Sequence, residues 1–275
     1  MHSKPLQYET SKIVMMYLNP NTRFKISQQA MALRSIEKLV PLRMKEFTIG
    51  DYYCRVNDTE HTNSEERNFQ IYGTRKSAIQ VQFLTITSKK RDCTNGMPNG
   101  VQIHTRNLKL LSFQNQNLKA ISGILTPESL PLDTVECTIF HQDFGNSSHA
   151  IVRDAKHFII GQFWSPPAWL STFRSLKNQI SQVKEENLLI GVEEYIELIE
   201  HWLEHGKASG TCYSFGMAPT DIQEVLKSVR KRPEVIEKSK RSSTLAMKSG
   251  FKLIVSYDGR FNARYCSTAL ELKVI

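Results

Sequence analysis

Cysteine is scarce, scattered and odd in number: Cys54, Cys93, Cys137, Cys212 and Cys266 contain no C-x-x-C pair. That pattern argues against a secreted disulfide scaffold or a paired-cysteine zinc site, and reduced, mostly buried thiols of an intracellular protein, cytoplasmic or nuclear, are expected. Long apolar runs are missing too. No uninterrupted stretch approaches the roughly 20 residues a membrane span needs, and the start MHSKPLQYET has no charged-then-apolar leader, so no membrane association is expected. On this reading the glycosylation patterns at Asn57-Asp58-Thr59 and Asn146-Ser147-Ser148 are inert. The chain also lacks G-x-x-x-x-G-K-[ST], G-x-G-x-x-G and G-x-S-x-G, the glycine-rich turns that cradle phosphates or expose a nucleophilic serine. No segment supplies a nucleophile, a base and an oxyanion site together, so no catalytic residue, no cofactor and no enzymatic activity are expected.

What is present is enough to fold. With 275 residues, 40% of them hydrophobic, the chain can bury a core without disulfide or metal. A formal charge of +9, from 36 Lys and Arg against 27 Asp and Glu, raises nucleic acid or acidic partners. The charge is arranged in blocks. Lys227, Arg230, Lys231, Arg232, Lys238, Lys240, Arg241, Lys248 and Lys252 follow a segment carrying Glu193, Glu194, Glu197, Glu200 and Glu204. Alternating blocks more often mark solvated faces or protein-docking surfaces than a nucleic-acid groove, so nucleic acid is not the expected partner.

The first forty residues read as three short amphipathic helices. Ile13, Val14, Met16, Tyr17 and Leu18 belong to the first, which breaks at Asn19-Pro20. Pro20 opens a second helix, where its missing N–H costs little, with Phe24, Ile26 and Ala30. The third carries Leu33, Ile36, Leu39 and Val40 before Pro41. Helices this short bury little alone and must pack on the rest of the chain or on another protein.

The arrangement Pro5-Leu6, Glu9, Ile13-Val14, Tyr17-Leu18, Pro20, Arg23, Ile26-Ser27 and Leu33-Arg34 resembles a divergent F-box. With YLNPNTRFKIS, LRSIEKLVPLRMKEFTI, CRVND and HWLEHGKASGTCYSFG, nearly the whole chain resembles a nematode-expanded family, F-box C-like, whose members carry a domain of unknown function. The usual Leu-Pro opening is reversed, and no Trp follows the third helix. The resemblance implies a substrate-recognition subunit of a cullin-RING ubiquitin ligase of the SCF type. It implies that Pro5, Leu6, Ile13, Tyr17, Leu18, Pro20, Phe24 and Ile26 dock a Skp-type adaptor while the larger part recruits an unknown protein substrate. The bland alternative makes the same residues the private core of a helical cap. A different reading is a basic nucleic-acid-binding module using 227–252.

Along the rest of the chain, strands are expected at Met44–Ile49, Tyr53–Val56, Phe69–Tyr72 and Ile79–Thr87, the last with Ile79, Val81, Phe83 and Thr85 on one face. The polar stretch Asn57–Glu66 reads as a surface loop. The segment Ser88–Gly100, with Lys89-Lys90-Arg91, reads as a loop and the internal seam. From Val101, strand-like runs begin every 20 to 30 residues or so, with helices between several of them, such as Leu118–Leu125, Pro167–Leu176, Val192–His205 and Thr220–Arg232. LTPESLPLDTVECTI resembles a junction of a degenerate leucine-rich repeat. The expected fold is mixed α/β: an F-box-like module over 1–42, a small β-rich segment over 43–100, and a repeat-like recognition domain over 101–275 with a curved, partly parallel sheet and helices on one side.

Four further patterns bear on chemistry. Glu197, His201 and His205 share a helix face at metal-ligand spacing, but two histidines in an acidic stripe are commoner as plain surface, and no metal is expected. Gly210 to Gly216 reads as a glycine-bounded strand rather than a turn presenting Cys212 or Ser214 as nucleophile. Ser239–Ser249 reads as polar, basic and mobile. Trp164 and Trp169, around a Pro-Pro turn, are either core or an exposed anchor for the target.

Overall fold

The computed structural model describes residues 6–51, 53–62, 75, 77–87, 100–111, 115–139, 149–163, 169–184, 190–259 and 268–275. The chain divides into two units, 1–132 and 133–275. The expected strand at 69–72, the loop at 88–99 and the Trp164 turn lie outside the described residues.

In the first unit three helices open the chain: α1 (Leu6–Tyr17), α2 (Pro20–Gln29) and α3 (Met31–Leu39). Asn19 caps α2 by accepting from the Asn21 N–H at 2.9 Å, and Pro20 takes the first helical position. Met15, Ile36 and Val40 form the buried cluster between the helices, with Tyr8, Leu18, Ile26 and Leu33 packed against it. Leu39, expected on the same face, is exposed.

Strands β1 (Arg43–Ile49), β2 (Tyr53–Val56), β3 (Thr59–Thr62), β4 (Ile79–Ile86), β5 (Ile103–His104) and β6 (Asn107–Leu110) follow. Their order is β6-β4-β1-β2-β3, with β5 also on β4; β1, β5 and β6 run parallel to β4, while β1, β2 and β3 form an antiparallel meander. β3 corrects the expected loop over 57–66 at residues 59–62; 63–66 lie outside the described residues. Its polar residues belong to the outermost strand of a hairpin that turns at Asn57-Asp58, with Asn57 in the left-handed region at φ 52°. The side chain of Asn57 accepts from the consecutive Lys45 and Glu46 N–H groups, at 3.0 and 3.1 Å. Consecutive amides of a regular strand point to opposite sides, so one acceptor for both marks a kink, and beyond it the pleat of β1 is out of phase. β4 follows in register: Met44 and Val81 pair, then Phe47 and Leu84, all buried. Phe83, expected in the core, is consequently 43% exposed. Helix α4 (Asn115–Ile124), with Leu118 and Ile121 buried, and a 3-10 turn at Pro127–Ser129 complete the unit.

The second unit alternates strand and helix: β7 (Thr134–Ile139), α5 (Ala150–Arg153), β8 (His157–Phe163), α6 (Trp169–Ser175), β9 (Ile180–Val183), α7 (Val192–His205), β10 (Cys212–Gly216), α8 (Pro219–Val229). It ends in β11 (Val235–Lys238), β12 (Ser242–Ala246), β13 (Lys252–Asp258) and β14 (Ala269–Val274). The order is β11-β12-β13-β14-β10-β9-β8-β7, parallel from β7 to β10 and antiparallel beyond. Thr134 pairs with His157 and His157 with Ile180, a step of about 23 residues within the range of solenoid repeats.

Period-2 alternation then gives the sheet two unlike faces. On one, Val135, Phe158, Ser181, Tyr213, Leu272, Val255 and Ser243 form an unbroken buried row across paired strands. Helices cover this face, since Trp202 of α7 stacks edge-on against Tyr213, and Trp169 and Phe173 of α6 against Phe215. On the other face Glu136, Gln182, Ser214, Glu271 and Ser256 stay partly exposed, with Lys184 paired to Glu136 at 2.9 Å. Segment 239–249, expected to be mobile, contains β12: Ser243 and Leu245 face the core, while Ser242 and Thr244 take the outward positions. The fold is mixed α/β, with parallel and antiparallel strands and no closure of the sheet.

Candidate docking surfaces

The helical module presents apolar side chains to solvent. Ile13, Val14 and Met16 are half exposed and Tyr17 is 86% exposed on α1, and Met31 stands out from the start of α3. Beside them Val14, Met15, Leu18, Ile26 and Leu33, with Gln7, Thr10 and Ser11, line a groove of about 470 Å³. Of the residues expected to dock an adaptor, Ile13 and Tyr17 point outward, and Leu18 and Ile26 line the groove. Pro20 and Phe24 are buried under α2 and shape the module from inside, which corrects their expected place on its surface. Pro5 and the Leu6 side chain lie outside the described residues.

Beneath the module sits an ionic cluster that sequence reasoning missed. Glu37 accepts from Arg23 at 3.0 Å and from Arg75, with all three side chains at most 2% exposed. Arg23 also donates to the carbonyls of Glu37, Val40 and Pro41, and Arg75 to those of Glu37 and Val40. Two cations therefore satisfy the orphan carbonyls where α3 gives way to β1, the end that favours positive charge. Burial lowers the Arg23 pKa from its ordinary value, against the pull of Glu37. The available signal was that Glu37 falls four residues after Leu33 and three before Val40, on the buried stripe of α3.

Trp169 is not an exposed anchor. It is 1% exposed, with Phe173, Tyr195 and Phe215 rings at centroid distances of 5.5, 5.1 and 6.1 Å. At the start of the seven-residue α6, Trp169 is core.

The charge blocks meet one another. Glu197, Glu200 and Glu204 of α7 pair with Arg174, Arg232 and Lys248 at 2.9, 2.5 and 3.3 Å. Glu197 is thereby engaged by a guanidinium, while the His201 and His205 rings stack at 4.3 Å. Among the described residues no group of three His, Cys, Asp or Glu is placed to hold a metal. Lys207 donates to the Arg174 and Leu176 carbonyls and lies over the Trp202 and Tyr213 rings; burial lowers its pKa to about 8.

Cys212 lies half-buried on β10, its thiol donating to Glu271 at 3.1 Å; burial first, and that bond second, push its pKa up to about 12. A thiol raised this far is almost wholly protonated at pH 8, where thiolate is the attacking species. Brief iodoacetamide treatment of the native protein at pH 8, read by peptide mass spectrometry, is expected to leave Cys212 unmodified. Rapid labelling there would contradict the assigned bond.

Among the described residues no helix is long and apolar enough to cross a membrane. No curated protein and no solved structure matches the chain. The sequence profile described as Domain of unknown function (DUF3557) matches residues 68–218, from the segment that contributes Arg75 to just past β10. That span is more than half of the 275 residues, and the chain belongs to this family.

Proposed function

We propose that this chain is a non-enzymatic interaction adaptor, the substrate-recognition subunit of a cullin-RING ubiquitin ligase, in which α1–α3 dock a Skp-type adaptor. The observation that carries the reading is the apolar outer face of α1, where Ile13, Val14, Met16 and Tyr17 stand in water beside an apolar groove. Contiguous apolar surface of this kind marks interaction sites, and a groove between short helices suits the apolar stripe of a partner helix. The choice of partner rests on the resemblance of the opening residues to an F-box. Ile13, Val14, Tyr17, Leu18 and Ile26 make the contact, and Pro20 and Phe24 hold α2 in place. The ligase would act by proximity, bringing a target lysine to a ubiquitin-charged enzyme, so this chain forms and breaks no covalent bond.

Calorimetric titration of the full chain with recombinant adaptor tests the reading. Wild type is expected to bind, and Tyr17→Asp and Val14→Asp each to weaken binding by about thirtyfold or more, the size of a hot-spot loss. Both side chains are exposed, so the melting temperature should not move. No binding by wild type, or equal binding by both variants, would sink the proposal.

A further inference from the structure

In the 133–275 unit a surface cleft of about 840 Å³ opens at α8, the β11–β12 turn and β13. Lys227 lines it from the last turn of α8, and Arg230 and Lys231 from the turn that follows Val229. Lys240 and Arg241 line it from the β11–β12 turn, and Tyr257 from β13. Ile222 and Leu226, almost wholly buried, give it an apolar floor. Among its described lining residues the one carboxylate is Glu224.

The fold sorts the basic block of the sequence into two sets. Arg232 and Lys248 are neutralised by α7 glutamates, whereas Lys227, Lys231, Lys240 and Arg241 have no carboxylate partner among the described residues. Like charges gathered without partners repel, and their field concentrates anions in a concave site. The cleft is also held open in a fixed form. Arg230 donates to the Ser239 and Lys240 carbonyls at 2.5 and 3.1 Å, and the Ser239 hydroxyl accepts from the Arg241 and Ser242 amides. Arg241 lies 6.0 Å over the Tyr257 ring, which restrains its guanidinium. Pinning long side chains before binding lowers the entropic cost of engaging a ligand.

The sign of the charge reverses at one end. Past Arg241 and Tyr257, which line both cavities, an adjoining hollow is formed with Asp258, Gly259 and Glu271. We propose that the cleft binds an acidic peptide segment, a run of Asp and Glu side chains followed by a basic residue seated over Asp258 and Glu271. A nucleic-acid strand fits less well, because its charge continues at every nucleotide and would run from the cations onto those two carboxylates. Among the described lining residues it would also find one aromatic ring, where unspecific single-strand binding uses successive stacking platforms. The surface lies wholly in the second unit and does not depend on what α1–α3 bind.

Fluorescence anisotropy on the full chain tests this, with three labelled probes: a short Asp/Glu peptide ending in Lys, its Asn/Gln counterpart, and a single-stranded oligonucleotide of similar length. The acidic peptide is expected to bind at least about tenfold tighter than its amide counterpart, and less tightly as salt rises. Lys231→Glu and Arg241→Glu should each weaken it by about tenfold, while Lys45→Glu, on β1, leaves it unchanged. Lys231 is exposed just past the end of α8, so its reversal reports binding even where the Arg241 variant fails to fold. Equal binding of the two peptides, indifference to Lys231→Glu, or tighter binding of the oligonucleotide would each overturn the proposal.

Discussion

Glu37→Gln is expected to cost the 1–132 unit about 3–5 kcal/mol, because it leaves two guanidiniums in the interior with no countercharge. Taking a charge out of water costs several kcal/mol per ion, and the attraction within the cluster offsets this only while every member is present. Gln preserves shape and one acceptor but not the charge, so the loss is electrostatic rather than a cavity. Arg23 and Arg75 would still hold their carbonyl bonds, which keeps the penalty finite. Replacing all three together by apolar residues of similar volume (Arg23→Met, Glu37→Leu, Arg75→Met) should recover most of the loss, though it leaves the carbonyls at the end of α3 unsatisfied. Urea unfolding followed by far-UV dichroism measures both. A cost below about 1 kcal/mol for Glu37→Gln would mean that water reaches the cluster.

Trp169→Ala should remove a further large increment, about 3–5 kcal/mol from the 133–275 unit. The side chain is enclosed by Phe173, Tyr195 and Phe215, which come from α6, α7 and β10, so no single neighbour can collapse into the space. Edge-on ring contacts add to the area term. Trp169→Phe keeps part of both and should cost clearly less. A native-like melting temperature for Trp169→Ala would show that the ring is dispensable and would reopen a contact role for it.

These two sites also show what one-dimensional pattern carries. Helices α7 and α8 were legible because their apolar residues recur at helical spacing and Gly206 and Pro219 punctuate them; Gly206 takes φ 80° and returns its N–H to Trp202. Most strands of the parallel run were legible because one face of each is apolar. β3 and β12 were not, since polar residues fill their outward positions and only pairing reveals the inward ones. Phe83 was misplaced because its phase is set by the side chain of Asn57 acting on the neighbouring strand. The apolar residues of α1 could be read from the sequence, yet neither their outward direction nor the burial of Pro20 and Phe24 could. The Arg23, Glu37 and Arg75 cluster joins residues up to 52 positions apart, and nothing local to Arg75 announces a partner. The acidic and basic blocks were visible, but which cations are neutralised depends on how α7 meets the chain after α8.

The family match begins at residue 68 and ends at 218, and both limits cut through hydrogen-bonded ladders. In the first unit β1 lies before the limit and pairs with β4 after it; in the second, β14 lies beyond the limit and pairs with β10 within it. A recombinant fragment trimmed to the match would strip both neighbours and bare the amides and carbonyls of β4 and β10, templates for self-association. It would also strand Arg75 without its carboxylate. A fragment trimmed to the matched segment is thus expected to aggregate, and one that keeps the flanking strands at each end to stay in solution.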